Sequence, residues 1–185
     1  MNLSSQYLLK TFQLVVLIFL IIFFIRGFIF EIGKINGMSM ENNYFDEDIF
    51  IVNKYKLLFR KPKRGEVVQF VNLKDNKLII KRIIGLPGET IDIKNGKIFI
   101  TNNQTSFQLE EPYLKKYSFT RAKNNKNNFF IKDFEYFVLG DNRNHSTDSR
   151  DFGAVNRIDI NGLAGKPIQL NFLNKFKNQF FKSEN

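Results

Sequence analysis

Three stretches of this 185-residue chain hold side chains that could act on one another. In the first, Asn36-Gly37-Met38-Ser39-Met40, a hydroxyl stands in a Gly-flanked turn. Such a serine is usually an ordinary loop residue, since its hydroxyl is a poor nucleophile until a neighbouring base takes the proton. The chain has one His, His145, so the bases on offer are carboxylates and lysines. A Ser-His-Asp triad would need Ser and acid partners placed around His145, and metal sites built on His pairs are excluded. No metal or cofactor is expected. A lysine serves as base only when neutral, which requires burial.

Lys81, in the second stretch, is the one lysine lodged inside a continuous apolar run, Leu78-Ile79-Ile80 before it and Ile83-Ile84 after Arg82. In a strand, side-chain alternation sends Arg82 to the opposite face. The local sequence leaves two placements open for Lys81: buried in a sheet, or facing solvent on an edge strand. The third stretch runs from Gly140-Asp141-Asn142-Arg143 to Ser146-Thr147-Asp148-Ser149-Arg150. Taken alone it is a polar, turn-rich loop with paired charges, a structural salt-bridge cluster in which His145 is an exposed loop residue.

The elements that must position these residues begin with an apolar run, Leu14 to Ile25, resumed by Phe28-Ile29-Phe30 after Arg26-Gly27. Counted as Phe12 to Phe30 it approaches the roughly 20 residues that cross a bilayer, with Arg26 able to snorkel at one end. No small-x-small site follows it, so an uncleaved anchor (12–30) behind a short N-terminal segment (1–11) is expected rather than a removed signal peptide. Lys10 on one side, against Glu31 and Lys34 on the other, leans toward a cytoplasmic N-terminus.

Past Gly33 the pattern turns to short alternating segments bounded by Gly, Asn, Asp and Pro, the mark of strands. Asp48–Asn53, Glu66–Val71, Leu78–Gly85 and Glu135–Leu139 qualify. Thr90–Lys94 and Lys97–Thr101 flank Asn95-Gly96, a two-residue hairpin turn. This gives a mainly β domain over 34–170, with a mobile loop at about 102–128 whose end, Lys123 to Asn128, has nothing to bury. A basic-aromatic tail, 171–185, is expected to cover the core.

The net charge of +10 suits anionic partners. The densest cluster, Arg60-Lys61-Pro62-Lys63-Arg64, is too short and proline-broken for a nucleic-acid helix, so nucleic acid is not expected and a lipid bilayer is. With no Cys, the chain holds no disulfide and gives no sign of its redox compartment.

Ser39-Met40, then Lys81-Arg82 with Gly85-Leu86-Pro87-Gly88-Glu89, then Gly140 to Arg150, in this order behind an apolar run, resemble the type I signal peptidases. The resemblance covers roughly Phe12 to Lys166. It implies an antiparallel β catalytic domain behind one transmembrane helix. It also implies a serine endopeptidase that removes signal peptides from secreted preproteins, at a plasma or thylakoid-type membrane with the domain extracytoplasmic. Ser39 would be nucleophile and Lys81 general base. Ser146 would hold Lys81 through its hydroxyl, Asp148 and Arg150 would form a supporting ion pair, and Asp141, Asn142 and Arg143 would shape the turn beneath.

Substrates would have small residues one and three positions before the cut, taken by shallow apolar pockets lined by Met40 and by Ile79 and Ile80 of the strand before Lys81. By the resemblance Gly37 and Met38 would lie beside the oxyanion position, where a Gly37 without side chain would leave the work to backbone N–H groups including that of Ser39. The chain departs from the family at Asn42-Asn43, where Pro-Thr is usual. A looser nucleophile loop is the expected consequence, with Asn42→Pro plus Asn43→Thr raising kcat. A degraded loop would instead leave a silent, membrane-tethered binding module of the same fold.

Overall fold

The structure is a computed structural model, describing residues 3–72 and 76–168. The chain opens with a helix, α1 (Leu3–Phe24), extended by a π-helical turn (Ile25–Ile29). Gln6–Ile29 is long and apolar enough to cross a membrane, and none of it is buried by protein. An apolar surface exposed all round, on a helix of about 36 Å at 1.5 Å per residue, suits solvation by lipid. The helix begins well ahead of Phe12, because nothing between Leu3 and Phe12 breaks it. At the other end Phe30 belongs to a strand, β1 (Phe30–Lys34), paired with Asn53. The Lys54 N–H also donates to Ile29 O at 2.9 Å. The span therefore feeds straight into the sheet, a junction that an apolar Phe28-Ile29-Phe30 does not mark.

The expected strands form β2 (Ile49–Asn53), β3 (Val67–Asn72), β4 (Lys77–Gly85), β5 (Thr90–Lys94) and β6 (Lys97–Thr101). Asn95 and Gly96 have φ of 51° and 77°, the left-handed pair that a tight hairpin demands. Beyond them come β7 (Ser106–Gln108), β8 (Asn128–Phe130), β9 (Glu135–Leu139), β10 (Val155–Asn156) and β11 (Ile160–Ala164). All pairings are antiparallel, in a seven-stranded sheet ordered β1-β2-β11-β3-β4-β9-β10 and a four-stranded sheet ordered β7-β6-β5-β8.

The continuous apolar run around Lys81 has a physical reason. Strand β4 feeds three cores: Ile83 packs with Val68, Phe70 and Val138; Ile84 with Ile91, Ile100 and Phe137; Ile80 with Met40, Phe50 and Val67. A strand covered on both faces cannot alternate with polar residues.

The interval 102–128, expected to be a mobile loop, carries local structure. It carries β7, places Leu109 and Tyr113 against the core of the smaller sheet, and buries Thr120. Lys123 itself is tied down, donating to Ser146 O at 2.6 Å and to Asp151 at 2.7 Å. The segment is polar but supplies partners to a distant part of the chain, which composition does not reveal. Two arginines of the basic cluster are likewise paired, Arg60 with Glu66 and Arg64 with Glu89, each at 2.6 Å. The basic-aromatic tail expected to cover the core lies outside the described residues.

Candidate active site

Ser39 and Lys81 meet. Lys81 Nζ lies 2.6 Å from Ser39 Oγ, and Lys81 is only 3% exposed. Of the two placements open for Lys81, the buried one holds. Burial lowers its pKa from about 10.5 to about 8, against the opposing charges of Asp148 and Asp141. An amine so placed is a proton acceptor near neutral pH, which is what a serine nucleophile needs. Ser39 itself is half-buried.

Arg82 leaves β4 on the other face, as alternation requires. It is buried, with Nε on Asp141 Oδ1 at 2.8 Å and Nη2 on Oδ2 at 2.5 Å, and its guanidinium lies 4.1 Å from the Tyr113 ring centre. Asp141 is thus more than a turn former. It binds the strand carrying Lys81 to the third stretch.

The next residue binds that stretch to the loop of Ser39: Asn142 N–H donates to Ser39 O at 3.0 Å. Gly140 permits the approach, since a Cβ there would collide with the Ser39 carbonyl and the Ser146 hydroxyl. Arg143 reaches back to Gly140 O, Glu111 and Thr120, so it anchors the 102–128 interval to the site.

Asp148 and Arg150 form the expected ion pair, with Nε–Oδ1 and Nη2–Oδ2 both 2.8 Å, and both residues are buried. Asp148 also accepts from Gly140 N–H and caps the short helix Ser149–Phe152 in a reciprocal capping box with Asp151. Ser146 is adjacent and buried, but its Oγ has no hydrogen-bond partner. The bond expected between Ser146 and Lys81 is not formed, and the ammonium is held by Ser39 instead. His145 is exposed.

Asn42-Asn43 gives the largest departure from expectation. The loop is not loosened. Asn43 Nδ2 donates to Asp141 Oδ2 at 2.8 Å and to Tyr113 O at 2.9 Å, joining the Arg82–Asp141 pair. Asn42 has a φ of 106°, a backbone state closed to proline, whose ring holds φ near −65°. Substitution by Pro-Thr would break this loop rather than tighten it. The sequence alone assigned no site contact to Asn43, Arg82, Glu111 or Lys123. The one available signal was Arg82, adjacent to Lys81.

Beside the Ser39–Lys81 pair opens a cavity of about 310 Å³. Ile35, Met40, Ile79, Ile80, Glu31, Gly33, Phe50 and Gln69 line it together with the pair. Gly37 and Met38 do not. Gly37 turns outward with a φ of 98° and donates its N–H to Asp46 at 2.7 Å, and Met38 is exposed.

Residues 8–168 match the family model described as signal peptidase, peptidase S26. Signal peptidase I V of Bacillus subtilis (strain 168) is 34% identical over 149 residues, covering 75% of this chain and 86% of that protein. Signal peptidase I of Bacillus amyloliquefaciens is 35% identical over 147 residues, 76% of each. Among solved structures, a signal peptidase I from Enterococcus faecalis V583 aligns with a TM-score of 0.44 and 29% identity, over 56% of this chain and 97% of that one.

Proposed function

The chain belongs to the signal peptidase family, peptidase S26, and from that premise we propose that it is a membrane-anchored endopeptidase cutting signal peptides from exported preproteins, with Ser39 as nucleophile and Lys81 as general base. The observation that carries this reading is the 2.6 Å contact between a buried Lys81 and Ser39. Neutral Lys81 takes the Ser39 proton as Oγ attacks the scissile carbonyl. The negative charge that develops on the carbonyl oxygen is met by backbone N–H groups, that of Ser39 among them. Lys81 then gives the proton to the leaving amine, the signal peptide stays on Ser39 as an ester, and Lys81 activates the water that releases it.

Around this pair the Arg82–Asp141–Asn43 network holds strand and nucleophile loop together, and the Asp148–Arg150 pair supports the turn beneath. Ser146 is buried beside Gly140, and its carbonyl accepts from Lys123 at 2.6 Å. The span places the site near the lipid: nine residues from Phe30 to Ser39 reach at most about 30 Å, where a translocated preprotein offers its cleavage site. With its N-terminus cytoplasmic, the domain stands outside the cytoplasm.

Substrates have small residues one and three positions before the cut, as secretory cleavage sites do. The test is cleavage of a preprotein by the detergent-solubilised chain. Ser39→Ala is expected to abolish it, and a preprotein with Phe just before the cut is expected to resist it. Undiminished cleavage by Ser39→Ala would refute the proposal, and equal rates for Ala and Phe would remove the substrate class. In intact cells stripped of outer wall, added protease is expected to degrade the domain; protection of the domain would invert the topology.

A further inference from the structure

The cavity beside Ser39 is not apolar throughout. Gln69, on β3 directly opposite Ile80 of β4, lines it while being only 4% exposed. A buried amide is costly unless both its ends find partners. Gln69 Oε1 accepts from Asn161 Nδ2 at 2.7 Å, and the same Nδ2 donates to Glu31 Oε2 at 3.1 Å. Glu31 is a carboxylate paired with Lys54 at 2.7 Å, and a carboxylate only accepts. Glu31 therefore fixes Asn161 with its nitrogen inward, and Asn161 in turn fixes Gln69 with its oxygen toward Asn161. The Gln69 Nε2 group is left as a donor without a partner among the described residues, on a side chain that lines the cavity.

Gln69 joins the cavity lining through the Asn161–Glu31 relay and not through the Ser39–Lys81 pair. Its relay partner Glu31 stands eight residues before Ser39, on β1, whose Gly33 pairs with Phe50. An extended peptide with its scissile carbonyl at Ser39 turns the side chains one and three residues before the cut to the same face, about 7 Å apart. The nearer one lies beside the Ser39–Lys81 pair, and the farther one reaches on along the cavity, whose lining includes Phe50 and Gln69.

We propose that Gln69 is a specificity-determining residue that reads the substrate side chain three residues before the cut, favouring a neutral hydroxyl, Ser or Thr, over an apolar side chain of the same size. The inference rests on the endopeptidase reading above. Glu31 sharpens the choice: an Asp at that substrate position would also accept from Nε2, but it would bring a second carboxylate toward Glu31. Thr against Val is the cleanest comparison, since the two have the same shape and differ only in the hydroxyl.

The test uses the full, detergent-solubilised chain and preproteins that differ only in the third residue before the cut: Thr, Val, Ala and Asp. In the unsubstituted protein, kcat/KM for Thr is expected to exceed that for Val by about 2- to 12-fold, the worth of one hydrogen bond, carried mainly by KM because the contact is the same in ground and transition states. Asp is expected to be the poorest of the four. Gln69→Leu is expected to invert the Thr-to-Val ratio. Gln69→Met, which keeps the length and removes the amide, is measured in its place if the Leu variant does not fold. A Thr-to-Val ratio at or below one in the unsubstituted protein, or a ratio left unchanged by loss of the amide, overturns the proposal. Ser39→Ala run alongside separates the two claims: cleavage lost in that variant with no Thr preference refutes Gln69 alone, whereas cleavage retained refutes the endopeptidase reading beneath it.

Discussion

Activity should switch on as pH rises through about 8, and Lys81 sets the point. Burial favours its neutral form and outweighs the pull of Asp148 and Asp141 toward the charged form, so the amine titrates at about 8 rather than about 10.5. Under the proposed mechanism only the neutral amine takes the Ser39 proton, so kcat/KM is expected to be lost as pH falls below that value. At pH 7 about one molecule in ten carries a neutral Lys81, against about one in three thousand for an unperturbed lysine. The buried position thus supplies a factor of about 300 in active enzyme at neutral pH, and kcat/KM should rise about tenfold between pH 7 and pH 9. Lys81→Arg keeps the charge and the bulk but stays protonated at every working pH. It should be as inactive as Lys81→Ala, down by at least about 10²-fold, the lower range for loss of a general base. The assay is kcat/KM on one preprotein from pH 6 to 10 in detergent, for the unsubstituted chain and both variants. A profile flat from pH 6 to 9, or Lys81→Arg within tenfold of the unsubstituted rate, would refute the assignment of Lys81 and turn attention to Asp141 and Asp148.

Asn42→Pro should destabilise the domain by about 3 kcal/mol or more and cut kcat, because φ at this position is 106°; a denaturant titration with parallel rate measurement checks both. Asn43→Asp should lower kcat more than Asn43→Ala, since it sets a carboxylate against Asp141 where a 2.8 Å hydrogen bond stood; equal kcat for the two variants would count against the network. Arg150→Leu should cost about 3–5 kcal/mol by stranding the buried Asp148 charge, read as a lowered unfolding midpoint, and a midpoint unchanged would remove the pair from the support of the turn. Ser146→Ala should lower kcat/KM by less than about tenfold, because its hydroxyl has no bond to Lys81 in the resting site; a larger loss would mean that substrate binding recruits that hydroxyl.

What the sequence made legible was local. The hairpin at Asn95-Gly96 is written in two residues whose backbone freedom selects one turn, and strands β2 to β6 follow from runs of β-branched and aromatic residues between turn formers. The burial of Lys81 could not be decided from its neighbours, because an apolar strand at the sheet edge and one at its centre read alike. Only the pairing of β4 with both β3 and β9 makes it central.

The misreadings share one cause, which is that the deciding partner lies far along the chain. Asn42-Asn43 looked slack beside Pro-Thr, but Asn43 is held by Asp141, 98 residues on, and by Tyr113, 70 residues on. The 102–128 interval looked empty for the same reason: its Glu111 and Lys123 have their partners at Arg143 and at Ser146 and Asp151. Polar residues paired in this way gain nothing from their sequence neighbours, so no periodicity marks them. Here the nucleophile loop, the strand bearing Lys81 and the polar interval all converge on Asp141 to Arg143. The third stretch does not itself line the cavity, and its charges are spent in joining the parts that do. A charge-rich turn that reads as a simple salt-bridge cluster therefore helps to hold Ser39 2.6 Å from Lys81, because Asp141 joins Arg82 on the strand to Asn43 on the loop and Asn142 N–H donates to Ser39 O.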